Sequence, residues 1–166
     1  KNKEFKNHVP THHYVCLNRL VRWEREEIVK TLLDRGLDRY GKISYASGLD
    51  PTQYRILCPD GDARFPLYID DVTSFEKGYD TTNNDISNAM FNIVTESAYE
   101  QVDSKPNYTN THVTATISEK TYKIFLAGQI PIMCGPQYSV SHLRDLGFDM
   151  FDDIVDHEYY DSISDS

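Results

Sequence analysis

Four short apolar runs rich in β-forming residues, at 13–17, 41–45, 90–95 and 130–134, alternate with segments that carry helical spacing or turn residues. This alternation narrows the folds open to the chain more than any other feature. Parallel neighbours in a sheet need a crossover, usually a helix, so strand–helix–strand order argues a parallel sheet covered by helices. The first crossover, 25–36, sets Ile28, Val29, Leu32 and Leu33 at helical spacing and stops at Gly36. In the last, Ser118 is placed to cap a helix, Tyr122, Phe125 and Leu126 give spacings of three and four, and Gly128 ends it just before the fourth run.

A further helix is expected over 137–148, with Val140, Leu143, Arg144 and Leu146 in register, Gly147 at its end and His142 half-buried on it. Glycines and prolines between 46 and 88 predict irregular structure with one short helix and one edge strand near 67–69, and 98–116 is polar and turn-rich. The expected class is α/β: a Rossmann-like parallel sheet flanked by helices over residues 13–161, after a loosely ordered segment at 1–12.

The formal charge of -9 belongs to one end. Eight Asp or Glu and no Lys or Arg follow Arg144, whereas residues 1–144 carry 17 basic against 18 acidic side chains. A nucleic-acid duplex is therefore not an expected partner. Phe148, Met150, Phe151, Ile154 and Val155 punctuate the acidic tail from about 145, so part of it is expected to pack. The apolar runs are too short for a membrane-spanning segment. Cys16, Cys58 and Cys134 are widely spaced, and two lie in strand-like runs, which argues reduced core thiols and a cytoplasmic location. The adjacent His12 and His13 point to opposite sides of a strand, and no His-x-x-x-His pair occurs, so no dedicated metal site is expected. The chain has no G-x-S-x-G elbow, and Gly135-Pro136 lacks the spacing and lysine of a phosphate loop.

In an open α/β sheet, ligands bind outside the carboxyl ends of the strands. Three groups fall at equivalent places there: Arg22 and Arg25 after the first strand, Glu96 at the end of the third, and Glu119 with Lys120 in the first turn of the helix before the fourth. They are expected to converge on one edge. A helix N-terminus carries partial positive charge and Lys120 adds a full one, which suits a phosphate or a sugar hydroxyl. The competing reading is that Glu119 and Lys120 are ordinary solvated first-turn residues.

The segment Ile93-Val-Thr-Glu96-Ser97, then Ile117-Ser-Glu119-Lys120-Thr-Tyr-Lys-Ile-Phe-Leu-Ala127-Gly128-Gln-Ile-Pro131-Ile-Met-Cys-Gly135, resembles the donor-binding half of the α1,3-fucosyltransferases and of related viral and bacterial glycosyltransferases. That family carries Glu-Asn-Ser at a strand end, then Thr-Glu-Lys, a helix, and Ala-Gly-x-x-Pro-x-x-x-Gly. Asn18-Arg19, Arg25-x-x-Ile28-x-x-x-Leu32 and Gly41-x-Ile43-Ser44 resemble the opening of the same domain. The resemblance implies the Rossmann-like half of a GT-B enzyme. On the matching positions, Lys120 and Arg25 would bind the pyrophosphate of a nucleotide sugar such as GDP-fucose. Glu119 would hydrogen-bond ribose or sugar hydroxyls, and Glu96 would shape the donor pocket. Two cations that neutralise a departing diphosphate need neither metal nor further cofactor.

Ser118 stands where the family has threonine, and the interval from Ser97 to Ser118 is longer than the family's. The family's acceptor-binding domain, with the general base, precedes this half. An acceptor domain or partner chain is therefore expected to complete the enzyme, with a glycan as acceptor. The location implied is the cytoplasm, the host's if the protein is viral. The alternative is a non-catalytic structural or binding module of a larger viral or surface assembly, with Trp23, Tyr138, Tyr159 and Tyr160 at an interface.

Overall fold

The computed structural model describes residues 9–18, 20–46, 49–57, 62–67, 88–96 and 117–161. Strands β1 (His12–Asn18), β2 (Gly41–Tyr45), β3 (Ala89–Thr95) and β4 (Ile130–Cys134) form one sheet in the order β2-β1-β3-β4, and every pair is parallel. Around it lie α1 (Trp23–Asp34), α2 (Pro51–Leu57), α3 (Glu119–Ala127), α4 (Ser139–Asp145) and α5 (Glu158–Asp161). The fold is α/β and Rossmann-like. Among the described residues no helix is long and apolar enough to cross a membrane.

The chain steps outward from β1 to β2 and in the opposite direction from β3 to β4. Right-handed crossovers then put α1 and α3 on opposite faces. Two cores follow. Tyr14, Cys16, Tyr45 and Ile93 meet Val29 and Leu32 of α1, together with Tyr54 and Phe65. Val94 and Met133 meet Ile124 of α3, Val140 and Leu143 of α4, and Met150. Alternation along each strand does the sorting, since the consecutive residues Ile93 and Val94 go to different clusters. On the β2 side, Tyr45 packs edge to face with Phe65 at 5.0 Å and with Tyr54 at 6.2 Å. Leu67 makes an isolated antiparallel bridge to Tyr45.

The helices depart from the expected registers in instructive ways. On α3, Tyr122 and Leu126 are exposed, while Thr121 and Ile124 are buried and Phe125 stacks on Phe148 at 4.5 Å. The inward stripe runs through Ile117, Thr121 and Ile124, because a carboxylate beneath the helix holds the Thr121 hydroxyl in. Helix α4 is shorter than 137–148: Tyr138 stands before it at φ 66, and Gly147 breaks out after it at φ 87. Val140 and Leu143 carry its packing, whereas Leu146 and His142 are exposed, so His142 is not a packing residue. In the acidic tail Met150 is buried and Phe148 and Phe151 are half-buried, but Ile154 is exposed. Gly36 and Gly128 end α1 and α3 at φ 64 and 68, as the sequence predicts. The expectations for 1–8, for 98–116, for Cys58 and for the edge strand beyond Leu67 lie outside the described residues.

Candidate functional site

The direction of strand addition reverses between β1 and β3, so the crevice of this sheet opens at their carboxyl ends. Extending the β1–β3 register sets Asn18 level with Thr95. Both are buried, and the Thr95 hydroxyl donates to Asn18 Oδ1 across the crevice. Asn18 Nδ2 in turn donates to Cys16 Sγ at 3.4 Å. The floor of the crevice is thus a closed polar contact between two strand ends.

One residue further, Glu96 keeps the ladder with its N–H to the Cys134 carbonyl at 2.9 Å. Its side chain turns to the other face and is 1% exposed. Oε1 accepts from the Ser118 N–H at 3.0 Å, from Ser118 Oγ at 2.9 Å and from Thr121 Oγ1 at 2.6 Å. Oε2 is buried without a hydrogen-bond partner. Ser118, the N-cap of α3, accepts the Lys120 N–H at 3.3 Å. Glu96 therefore clamps the start of α3, with its negative charge at the positive end of the helix dipole. Strand β4 leaves the sheet close by: a Cβ at Gly135 would stand 3.4 Å from Glu96 Cβ and 3.2 Å from Ser139 Oγ.

Arg25 lies in the first turn of α1, is 3% exposed, and places Nη1 at 3.5 Å from the Leu20 carbonyl. Arg22 is the N-cap of α1, extended at φ -154, and its side chain makes no capping bond. Its N–H donates to Tyr45 Oη at 3.3 Å, which anchors the turn after β1 to the end of β2. Glu24 and Glu26 share this first turn; Glu26 accepts from Tyr45 Oη at 3.2 Å and pairs with Lys30 Nζ at 2.8 Å. Burial pushes the Cys16 thiol up to about 12, and the neighbouring Cys134 adds to the rise. The Asn18 hydrogen bond and, to a lesser extent, the charge of Lys120 pull it back. Cys134, also a free thiol, is raised by burial to about 11.

The structure therefore sets Arg22, Arg25, Glu96 and Lys120 at the carboxyl edge. The backbone of Glu119 opens α3 there, and its side chain lies outside the described atoms. Sequence reasoning missed Thr95 as the partner of Asn18, and Ser118 with Thr121 as the partners of Glu96. A polar residue closing an apolar strand, as Asn18 and Thr95 do, was the available signal; Thr121 gave none apart from its place four residues after Ile117. Among the described residues no three metal-ligating side chains converge. Comparison with family models, with curated proteins and with solved structures gives no match.

Proposed function

We propose that this chain is the donor-binding domain of a GT-B glycosyltransferase, holding a nucleotide-diphosphate sugar at the carboxyl edge between β1 and β3 for transfer to a glycan acceptor. One observation carries the reading: the first turns of helices on opposite faces bring Arg25 and Lys120 to the place where the strand order reverses. A guanidinium fork pairs two phosphate oxygens, and a nearby ammonium compensates the charge that grows on a departing diphosphate. Glu96 contributes by fixing the turn that carries Lys120. The general base and the acceptor site are expected on an additional domain or partner chain.

Calorimetric titration with GDP, UDP and their sugar conjugates tests the reading. Lys120→Ala and Arg25→Lys are each expected to weaken nucleotide binding by about 1.5–3 kcal/mol, the range for hydrogen bonds to charged groups, with an unchanged far-UV spectrum. Arg25→Lys is preferred to alanine because the side chain is buried. Absence of nucleotide binding rejects the proposal in favour of a non-catalytic module that keeps the fold. One observation favours that second reading: both Arg25 and Glu96 are buried, and Glu96 is engaged by three donors of its own chain.

A further inference from the structure

The C-terminal end supplies what α4 lacks. Tyr138 stands at its N-cap in the left-handed region and makes no side-chain capping bond. Asp161 makes the bonds instead: Oδ1 accepts from the Val140 N–H at 2.9 Å, and Oδ2 from the Ser141 N–H at 3.0 Å and Ser141 Oγ at 2.8 Å. The Asp161 carbonyl accepts the Tyr138 N–H at 2.8 Å. Helix α5 is tethered in turn through His157, which is 1% exposed. The Met150 carbonyl can only accept, so His157 Nε2, at 2.9 Å from it, carries the ring hydrogen. His157 Nδ1 then takes the Tyr160 hydroxyl hydrogen, and the Tyr160 ring packs against the core cluster that includes Met133 of β4. The helix that carries Asp161 is thus held by hydrogen bonds to the loop after α4 and by packing of Tyr160 on the core beside β4.

We propose that residues 157–161 are a proton-operated strap: when His157 takes a second proton, α5 lifts and Asp161 leaves the first turn of α4, releasing the turn 135–139 that borders Glu96. The neutral ring is the docked form. A hydrogen on Nδ1 would face the Tyr160 hydroxyl and force its hydrogen off the acceptor it has, and a full charge would sit on a buried ring. Of the charged groups that face His157, Asp152 and Asp161 favour the imidazolium and Arg144 opposes it. Arg144 is bound to Asp152 through Nε at 3.0 Å, and Asp161 is committed to three donors of α4. Burial therefore prevails and holds His157 below its ordinary value of 6.5. The docked ring binds protons more weakly than the released one, so docking is complete above that value and weakens as pH falls below it.

Amide hydrogen exchange on the whole chain, corrected for the intrinsic rate, reads the strap directly at the three amides bonded to Asp161: Tyr138, Val140 and Ser141. Between pH 7.5 and 5 their protection is expected to drop tenfold or more, in step with the imidazole C–H signal of His157, while the β3 amides keep theirs. His157→Gln, which keeps a donor for Met150 and does not titrate, should flatten the response, and Asp161→Ala, which removes the carboxylate and keeps the backbone carbonyl, should leave the Val140 and Ser141 amides open at both pH values. Equal protection at both pH values in the unmodified chain, or opening that does not follow the His157 signal, overturns the proposal without recourse to any variant. Opening that persists unchanged in His157→Gln overturns it as well.

Discussion

Replacing Glu96 separates its role as an acceptor from its role as a charge. In Glu96→Ala the Ser118 N–H, the Ser118 hydroxyl and the Thr121 hydroxyl lose their common acceptor. Hydrogen bonds to a charged group are worth about 1.5–3 kcal/mol each. Ser118 is half-buried and regains water, whereas Thr121 is fully buried and does not. The loss is therefore one such bond in full, a helix cap of about 1 kcal/mol, and a small cavity, for a total of about 3–5 kcal/mol. Glu96→Gln keeps an acceptor at the Oε1 position and removes the negative charge from an oxygen that has no partner. Its expected cost is within about 1 kcal/mol, because the weakened bonds and the relieved burial of charge offset each other. Urea unfolding followed by far-UV circular dichroism at pH 7 measures both. A Glu96→Ala change below about 1 kcal/mol would show that these bonds do not hold α3. A Glu96→Gln loss equal to that of alanine would show that charge, and not the acceptor, is what α3 requires.

Two further outcomes follow from packing and burial. Gly41→Ala is expected to cost about 1–3 kcal/mol in the same urea assay, because its Cβ would stand 2.5 Å from the Tyr14 ring, which is fixed by the hydroxyl's hydrogen bond to the Leu37 carbonyl at 3.1 Å. Cys16 and Cys134, raised to about 12 and about 11 by burial, hold little thiolate at pH 8. Iodoacetamide should therefore modify both at least about 100-fold more slowly in the folded chain than in urea, as read by peptide mass mapping.

The layout of the sheet was legible because each strand is a short apolar run and the crossover helices α1 and α3 each end at a glycine that accepts positive φ, Gly36 and Gly128. Those signals are local. The registers of α3 and α4 were harder because they depend on partners distant in sequence. Thr121 turns inward toward Glu96, 25 residues earlier, and α4 takes its cap from Asp161, 20 residues later. Apolar spacing counts only apolar contacts, so a hydroxyl drawn in by a buried carboxylate is invisible to it, and Tyr122 and Leu126 take the inward places by default. The edge on which Arg25, Glu96 and Lys120 lie was legible for a different reason: parallel topology forces strand ends and helix starts to the same side.

Topology leaves open which of those helix starts suits an anion, and the caps answer that. At α2 the Asp50 carboxylate accepts the Thr52 and Gln53 N–H groups at 2.8 and 2.9 Å. At α3 Glu96 takes the N–H of the N-cap residue, and at α4 Asp161 takes two N–H groups of the first turn. Among the described residues, three of the four helices that follow a strand thus already have a carboxylate of this chain at their positive end. The fourth, α1, opens on Arg22 and holds Arg25 in its first turn beside Glu24 and Glu26, of which Glu26 is tied to Tyr45 and Lys30. A second anion at α3 would have to approach the Glu96 carboxylate, whereas at α1 it meets Arg22 and Arg25 as well as Glu24 and Glu26. Under the proposed function, the diphosphate of a nucleotide sugar would sit at the start of α1, with Lys120 in the first turn of α3. On this argument Arg25→Lys costs more nucleotide affinity than Lys120→Ala, and the reverse order in the titration would place the phosphates at α3 despite Glu96.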